Sequence, residues 1–299
     1  MSEAVRYQVR HQTVYAYGSD VAHAHHLLHL APRTTETQTC EEFALELLPQ
    51  PAVRGTHVDA FGNSVTSLEL DRPHDRLQVT ARTLVQVRPR ERPDPAASRP
   101  WEQVAEGLAY APRPIEPTWL EAARFRTQSP FVPIKSVIAK YAAPCFTAGA
   151  PVLSAAAALM HKIFTEFTYS PGETQIGTPL LEVLGKRRGV CQDYAHLMIA
   201  CLRAHGLAAR YVSGYLRTQA AAGQGGLVGA DASHAWVAVF APPFGWVELD
   251  PTNNLWVAQD HVLLAWGRDF GDVSPLRGVI LGGGAHTLEV AVEVLPVGP

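Results

Sequence analysis

The chain has 299 residues, 47% of them hydrophobic and 18% charged, with a formal net charge of −3. That balance describes a soluble globular protein long enough for one large domain or two ordinary ones. It excludes the strongly basic surface that nucleic acid or an anionic membrane would select, so neither is expected as a partner. Four cysteines (Cys40, Cys145, Cys191 and Cys201) form no Cys-x-x-Cys pair, which points to free thiols and a cytoplasmic location. The opening residues Met1 to Arg6 lack the apolar core of a signal peptide, and no long uninterrupted apolar run follows.

Residues 5 to 90 read as β-rich. Tyr7, Val9, His11, Thr13, Tyr15 and Tyr17 recur at a period near two, and Phe43 to Leu48, Val65 to Leu70 and Leu77 to Val87 read as further strands. Close strands joined by short turns predict an antiparallel sandwich. Within this region His23, His25, His26 and His29 put four histidines into seven residues. In an extended strand His23, His25 and His29 share a face, but same-face positions lie about 6.6 Å apart along it. With no cysteine or carboxylate cluster nearby in sequence, a polar strand face is the expectation and no metal site is assigned.

Residues 88 to 117 are rich in proline and arginine and read as a linker. Helical patterns follow at Thr118 to Phe125, Ile134 to Ala142 and Pro151 to Phe167. Thr178-Pro179 opens another helix through Leu184. From Gln192 to His205 the apolar residues Ala195, Met198, Ile199 and Leu202 fall on one helical face, and Gly206 suits a left-handed stop. Cys191 is then the first helical residue or the one before it. Backbone N–H groups without intrahelical partners and the positive end of the helix dipole favour a thiolate there.

Beyond Gly206 the period changes to that of strands, at Ala209 to Leu216, His234 to Phe240 and Gly245 to Asp250, with an Ala- and Gly-rich mobile loop expected over residues 217 to 232. The last two strands form a hairpin. If Val239 pairs with Gly245, His234 lies directly opposite Asp250. If Phe240 pairs with Trp246, Asp250 is the diagonal neighbour on the same face; a one-residue slip would separate them. A thiol at a helix N-terminus, a strand histidine and a carboxylate on the next strand are the parts of a Cys-His-Asp nucleophilic site. Asp193 reads as stabilising the helix N-terminus and His196 as a structural histidine.

The segments Gly189-Val190-Cys191-Gln192-Asp193-Tyr194-Ala195-His196-Leu197, Ala209 to Tyr215, Asp231-Ala232-Ser233-His234-Ala235-Trp236 and Gly245 to Asn253 together resemble the bacterial transglutaminase-like family. The first 90 residues resemble its β-rich N-terminal domain, and the tail from Gly267 through Gly282-Gly283-Gly284 to Val290 is similar as well. The resemblance implies an α+β protein in three parts. These are an antiparallel β-sandwich-like domain at 1–90, a linker at 91–117, and a transglutaminase/papain-like core of helices packed on an antiparallel sheet at 118–299, carrying the C-terminal strands.

The resemblance also implies a triad of Cys191 as nucleophile, His234 as base and Asp250 as orienting carboxylate. The substrate would be a peptide or other amide, and the resulting thioester would be released to water or an amine. Gln192 stands where arginine is common in relatives and Tyr194 where phenylalanine is, and neither change touches the chemistry. Gln192 and Tyr169 are candidates for a second oxyanion donor, and Trp236 and Trp246 for walls of a substrate cleft. No loop has regularly spaced acidic ligands, so the calcium of the animal branch is not carried over, and no cofactor is implied. Three alternatives differ in class: a cysteine peptidase that only hydrolyses, a non-catalytic scaffold that recruits a partner, and a metal-binding protein built on the histidine strand.

Overall fold

A computed structural model describes residues 3–110, 116–217 and 233–298. The chain opens with five strands: β1 (Val5–Leu28), β2 (Gln38–Leu48), β3 (Val53–Val58), β4 (Ser64–Leu70) and β5 (His74–Val87). Helices α1 (Trp101–Leu108), α2 (Pro117–Ala123), α3 (Ser136–Ala142) and α4 (Val152–Glu166) follow. Then come β6 (Thr168–Tyr169), α5 (Leu180–Lys186), β7 (Arg188–Gly189) and α6 (Cys191–Ala204). The remainder is β8 (Ala209–Leu216), β9 (His234–Phe240), β10 (Trp246–Asp250), β11 (Leu255–Trp256), β12 (His261–Gly267), α7 (Phe270–Val273), β13 (Leu276–Gly282) and β14 (His286–Val297). The stretch read as a mobile loop lies, from residue 218 to 232, outside the described residues. Among the described residues no helix is long and apolar enough to cross a membrane.

β1 is the spine of a seven-stranded antiparallel sheet. Its first half is flanked by β5 and β14, and its second half by β4 and β13, with a register irregularity between Ala16 and Val21 where it passes from one set of neighbours to the other. Residues of both sets, among them Leu28, Leu68, Leu70, Leu77 and Val79, meet in one apolar cluster, which gives the single sheet its sandwich-like core. The sequence expectation counted the C-terminal strands with the core at 118–299. β13 and β14 hydrogen-bond to β1 instead, so this sheet is built from both ends of the chain. The stretch read as a linker is packed rather than free: α1 inside it buries Val104 and Leu108.

The second sheet has five strands in the order β11-β10-β9-β8-β12. Helix α6 packs on β8 and β9 and is flanked by α3, α4 and α5. The amphipathic pattern predicted one buried face. Cys191, Asp193 and every residue from Tyr194 to Arg203 are buried, because the helix runs through the interior with the sheet on one side and other helices around the rest. Gly206 has φ +78°, the left-handed stop that the sequence predicts.

Two side-chain amides, Gln38 at the start of β2 and Asn63 just before β4, lock the halves together. Gln38 donates to Leu263 O at 2.7 Å and accepts from Leu263 N at 2.8 Å. Asn63 donates to Trp266 O at 2.9 Å and accepts from Trp266 N at 3.0 Å. These pairs satisfy the outer edge of β12, which would otherwise present unpaired backbone groups in the interior.

Candidate active site

Cys191 is the first residue of α6, with Val190 extended before it at φ −116°. The turn is shaped by Asp193 at the third helical position. Its Oδ2 accepts from Val190 N at 2.8 Å and from the Thr174 hydroxyl at 2.7 Å. Gly189 is required for this approach, because a Cβ there would stand 2.6 Å from Asp193 Oδ2. Gly189 also pairs in parallel with Tyr169. The local sequence therefore does three things: glycine admits the aspartate, the aspartate caps the helix, and the cap leaves the sulfur at its positive end. Cys191 keeps 9% exposure, whereas Cys201, nearly three turns further along, has none.

His234 opens β9 and Asp250 closes β10. The hairpin register pairs Phe240 with Trp246 and Val237 with Leu249, so Asp250 is the diagonal neighbour of His234. His234 Nε2 donates to Asp250 Oδ2 at 2.9 Å, with both side chains fully buried. His234 Nδ1 is buried without an oxygen or nitrogen partner and is the ring atom left to meet the thiol. Burial alone would lower the His234 pKa. The Asp250 carboxylate outweighs that, and with hydrogen bonding to Asp250 and Cys191 the net shift is upward. Burial would likewise raise the Asp250 pKa, but His234, and after it His261, hold it well below the usual carboxylate range.

Asp250 has further partners that sequence reasoning missed. Oδ1 accepts from Thr252 N at 2.9 Å and Asn253 N at 3.3 Å, and Oδ2 from Asn253 Nδ2 at 2.8 Å. His261 Nε2 also reaches Oδ2, at 3.3 Å, from the first residue of β12. An ionised carboxylate only accepts, so His261 carries its proton on Nε2, and its Nδ1 is buried without a partner among the described residues. A signal for His261 was present: like His234, it is a lone histidine at the head of a wholly apolar strand.

The remaining sequence candidates separate. Trp236 is fully buried. Its ring lies 6.1 Å from that of His234 and 5.3 Å from that of His261, and its Nε1 donates to Glu248 Oε2 at 2.7 Å. Trp246 lies apart from this group, stacked against the Arg210 guanidinium at 3.8 Å. Gln192 Nε2 donates to Ile176 O at 3.4 Å, beside the first turn of α6. Tyr169 sits next to the Cys191 turn through its pairing with Gly189, with its ring 6.5 Å from that of Tyr194. His196 is buried, accepts from Phe270 N at 3.1 Å and stacks on Phe131. Burial lowers its pKa to about 3, so it is neutral.

Two cavities are relevant. One of 1190 Å³ lies over the second sheet, beside α4 and the segments 35–37 and 89–93, lined in part by Arg90, Trp246, Glu248 and Trp256, and includes none of Cys191, His234 or Asp250. A smaller one of 330 Å³ sits against the start of α6, with Phe131, Pro133, Leu180, Leu181 and Gln192 in its wall.

A helix carrying a cysteine at its N-terminus, packed on an antiparallel sheet whose adjacent strands hold a buried His–Asp pair, defines the transglutaminase-like class of fold. Residues 7–86 match the bacterial transglutaminase-like N-terminal region and residues 139–251 the transglutaminase-like superfamily. The chain belongs to the bacterial transglutaminase-like family. An uncharacterised protein of Mycobacterium tuberculosis is 38% identical over 307 residues, covering 99% of this chain and 94% of the relative. One from Mycobacterium leprae is 33% identical over 294 residues, covering 97% and 98%. A protein-glutamine gamma-glutamyltransferase of Pseudomonas aeruginosa is 43% identical over only 70 residues, 23% of this chain and 10% of that protein. The crystal structure of a candidate cysteine protease from Cytophaga hutchinsonii shares the fold over all of this chain and 92% of its own, with a TM-score of 0.76 at 20% identity.

Proposed function

We propose that the protein is a cysteine enzyme that cleaves amide bonds through a thioester on Cys191, with His234 as base and Asp250 as the carboxylate that orients it. The observation that carries this reading is the buried 2.9 Å His234–Asp250 hydrogen bond beside a thiol at a helix N-terminus. His234 Nδ1 takes the Cys191 proton, and the thiolate attacks the substrate carbonyl carbon. The Cys191 N–H, free of intrahelical bonding at the first helical position, is a donor for the oxyanion. Protonated His234 then gives its proton to the leaving amine as the C–N bond breaks. Water or a second amine, deprotonated by His234, attacks the thioester and returns the thiol. Asp250 remains ionised throughout and keeps the His234 proton on Nε2.

The 330 Å³ cavity, with Phe131, Pro133, Leu180 and Leu181 on part of its wall and Thr178, Gln192, Asp193 and His196 on the rest, suits a substrate group with both apolar and polar surface. Free Cys40, Cys145, Cys191 and Cys201 suit a reducing, cytoplasmic compartment. Iodoacetamide labelling against pH tests the nucleophile. Cys191 is expected to react faster than Cys201, whose thiol burial pushes well above its ordinary pKa. Cys191→Ala is expected to lose amide cleavage by at least about three orders of magnitude. Full activity in Cys191→Ala sinks the reading. Incorporation of a fluorescent primary amine into a glutamine-containing peptide, set against ammonia release in water, separates transfer from hydrolysis.

A further inference from the structure

The fold brings Glu69 of β4 against the histidine-rich part of β1. Sequence alone supplied no carboxylate there. His25 is the direct cross-strand partner of Glu69, and His23, two residues earlier, takes the diagonal place on the same face. His23 Nε2 stands 3.5 Å from Glu69 Oε1, and the His23 and His25 rings are 5.7 Å apart. One ligand atom from each of the three lies within 4.8 Å of the others. The obstacle to a site on one flat strand was the spacing of its same-face positions, and a third ligand from the adjacent strand removes it. The other two histidines of the run lie outside this cluster. His26 is buried, and His29 bonds Ser274 O at 3.2 Å and stands 3.5 Å from Asp59.

We propose that His23, His25 and Glu69 form a binding site for a divalent transition-metal ion of the zinc, copper or nickel class. Two imidazoles and one carboxylate are the donor set these borderline ions favour over calcium or magnesium, which take oxygen ligands. Metal–ligand bonds of about 2.0–2.2 Å place tetrahedral ligand atoms about 3.4 Å apart. The His23–Glu69 pair is already at that separation. The remaining separations, all within 4.8 Å, are short enough for side-chain rotation to close.

Two features frame it. A register shift between Val21 and His23 sets the strand immediately before the first ligand, and bulges of this kind re-aim side chains. Apolar residues surround the donors on the same face: Val53 opposite Glu69, Val279 opposite His25, and Leu281 opposite His23. These are 57%, 70% and 68% exposed, so the donors stand among apolar neighbours on the solvent face. Three protein ligands leave at least one position open for water or an outside donor.

The test uses the full chain carrying Cys191→Ala, so that no thiol beside His234 competes. Titration with zinc chloride by calorimetry is expected to show one equivalent bound with micromolar affinity. Second-shell partners alone change metal affinity by about 10–100-fold, so His23→Ala, His25→Ala and Glu69→Gln are each expected to weaken binding by at least about tenfold. His57→Ala, an exposed histidine outside the cluster, is expected to leave it unchanged. The ligands are surface side chains, and a circular-dichroism melt of each variant confirms that it folds. Absence of a stoichiometric site in the parent overturns the proposal. So does a zinc affinity in His23→Ala or His25→Ala equal to that of the parent.

Discussion

Burial alternates along β5 of the seven-stranded sheet, with Thr80 the exception: Leu77, Val79, Ala81, Thr83, Val85 and Val87 face inward, and on the other face Gln78, Arg82, Leu84 and Gln86 are less covered while Thr80 is buried. Every residue of β8 and β9 in the five-stranded sheet is buried. The first sheet has a solvent face, as antiparallel sheets commonly do. The second has α6 on one side, and on the other its own apolar cluster of Val212, Trp236, Ala238, Val257 and Leu263. In such a sheet each polar side chain costs free energy unless it is fully bonded, so those that persist are informative. His234, Asp250 and His261 form a polar cluster at one end of this sheet, joined through Asp250 Oδ2, with Nδ1 of each histidine left without an oxygen or nitrogen partner among the described residues.

The sharpest way to break that contrast is to remove the charge at its centre. Asp250→Asn keeps the shape, but its amide cannot accept from His234 and His261 as the carboxylate does. Loss of the correct His tautomer costs about 10⁴-fold in kcat in the serine-protease triad, and about 10³–10⁴-fold is expected here. Stability should fall too, by about 3–5 kcal/mol for a broken buried pair. The His234 pKa is raised in the folded state, so its contribution is full below about pH 6.5 and is lost as pH rises through the folded value. The Asp250 pKa is depressed, so its contribution is present above about pH 3.9 and is lost as pH falls through the folded value. The Tm gap between wild type and Asp250→Asn should therefore be widest at about pH 4–6.5. A gap that is flat across pH would show that the pair is not ionised as described.

The second expected effect tests how the two sheets are joined. Gln38 is fully buried and satisfies both backbone groups of Leu263. Gln38→Ala leaves a buried N–H and a buried carbonyl unpaired, at about 1–3 kcal/mol each. Urea denaturation should report a loss of about 2–6 kcal/mol. Protection of the Leu263 amide from hydrogen exchange should fall while that of Val237 in central β9 is retained. Equal loss at both would mean that the edge and the centre of the sheet open together.

The difference between the sheets also explains what the sequence disclosed. Alternation along Tyr7 to Tyr17 was readable because one face is wet, although it concealed that a single strand continues to Leu28. Cys191, His234 and Asp250 were legible because each sits at the boundary of an element, where a local pattern ends. The hairpin register left two pairings open, and the fold takes the one that makes Asp250 diagonal. Glu69 beside His25 and Gln38 beside Leu263 depend on pairing between distant segments, and no local period encodes that. The resemblance counted the tail with the core, yet β14 pairs with β1 from Arg6 to Tyr17.

His261 tests whether the second histidine positions or merely fills space. His261→Asn retains a donor near Asp250 Oδ2, whereas His261→Ala removes it and leaves a cavity. If His261 fixes the carboxylate rotamer, the alanine variant should lose about tenfold in kcat with KM unchanged, the scale expected for an outer-shell partner of a catalytic group. The asparagine variant should recover part of it. The acid limb of the pH–rate profile should move up in His261→Ala, because one of the hydrogen bonds that depress the Asp250 pKa is gone. Equal loss in both variants with an unmoved acid limb would make His261 a packing residue only.

The smallest effect lies at the opposite extreme of the molecule. Val279 in β13 is 70% exposed on the wet face of the seven-stranded sheet. Val279→Thr keeps the β-branched shape that suits a strand and exchanges a methyl for a hydroxyl that water can bond. Its expected effect on stability is within about 0.5 kcal/mol. The same exchange at Val237, buried in β9 against α6, puts an unmet hydroxyl in the core and should cost about 1–3 kcal/mol. The two substitutions are chemically identical, so the difference in urea midpoint between them measures the contrast between the sheets directly. Similar midpoints would mean that the face carrying Val279 is covered in solution.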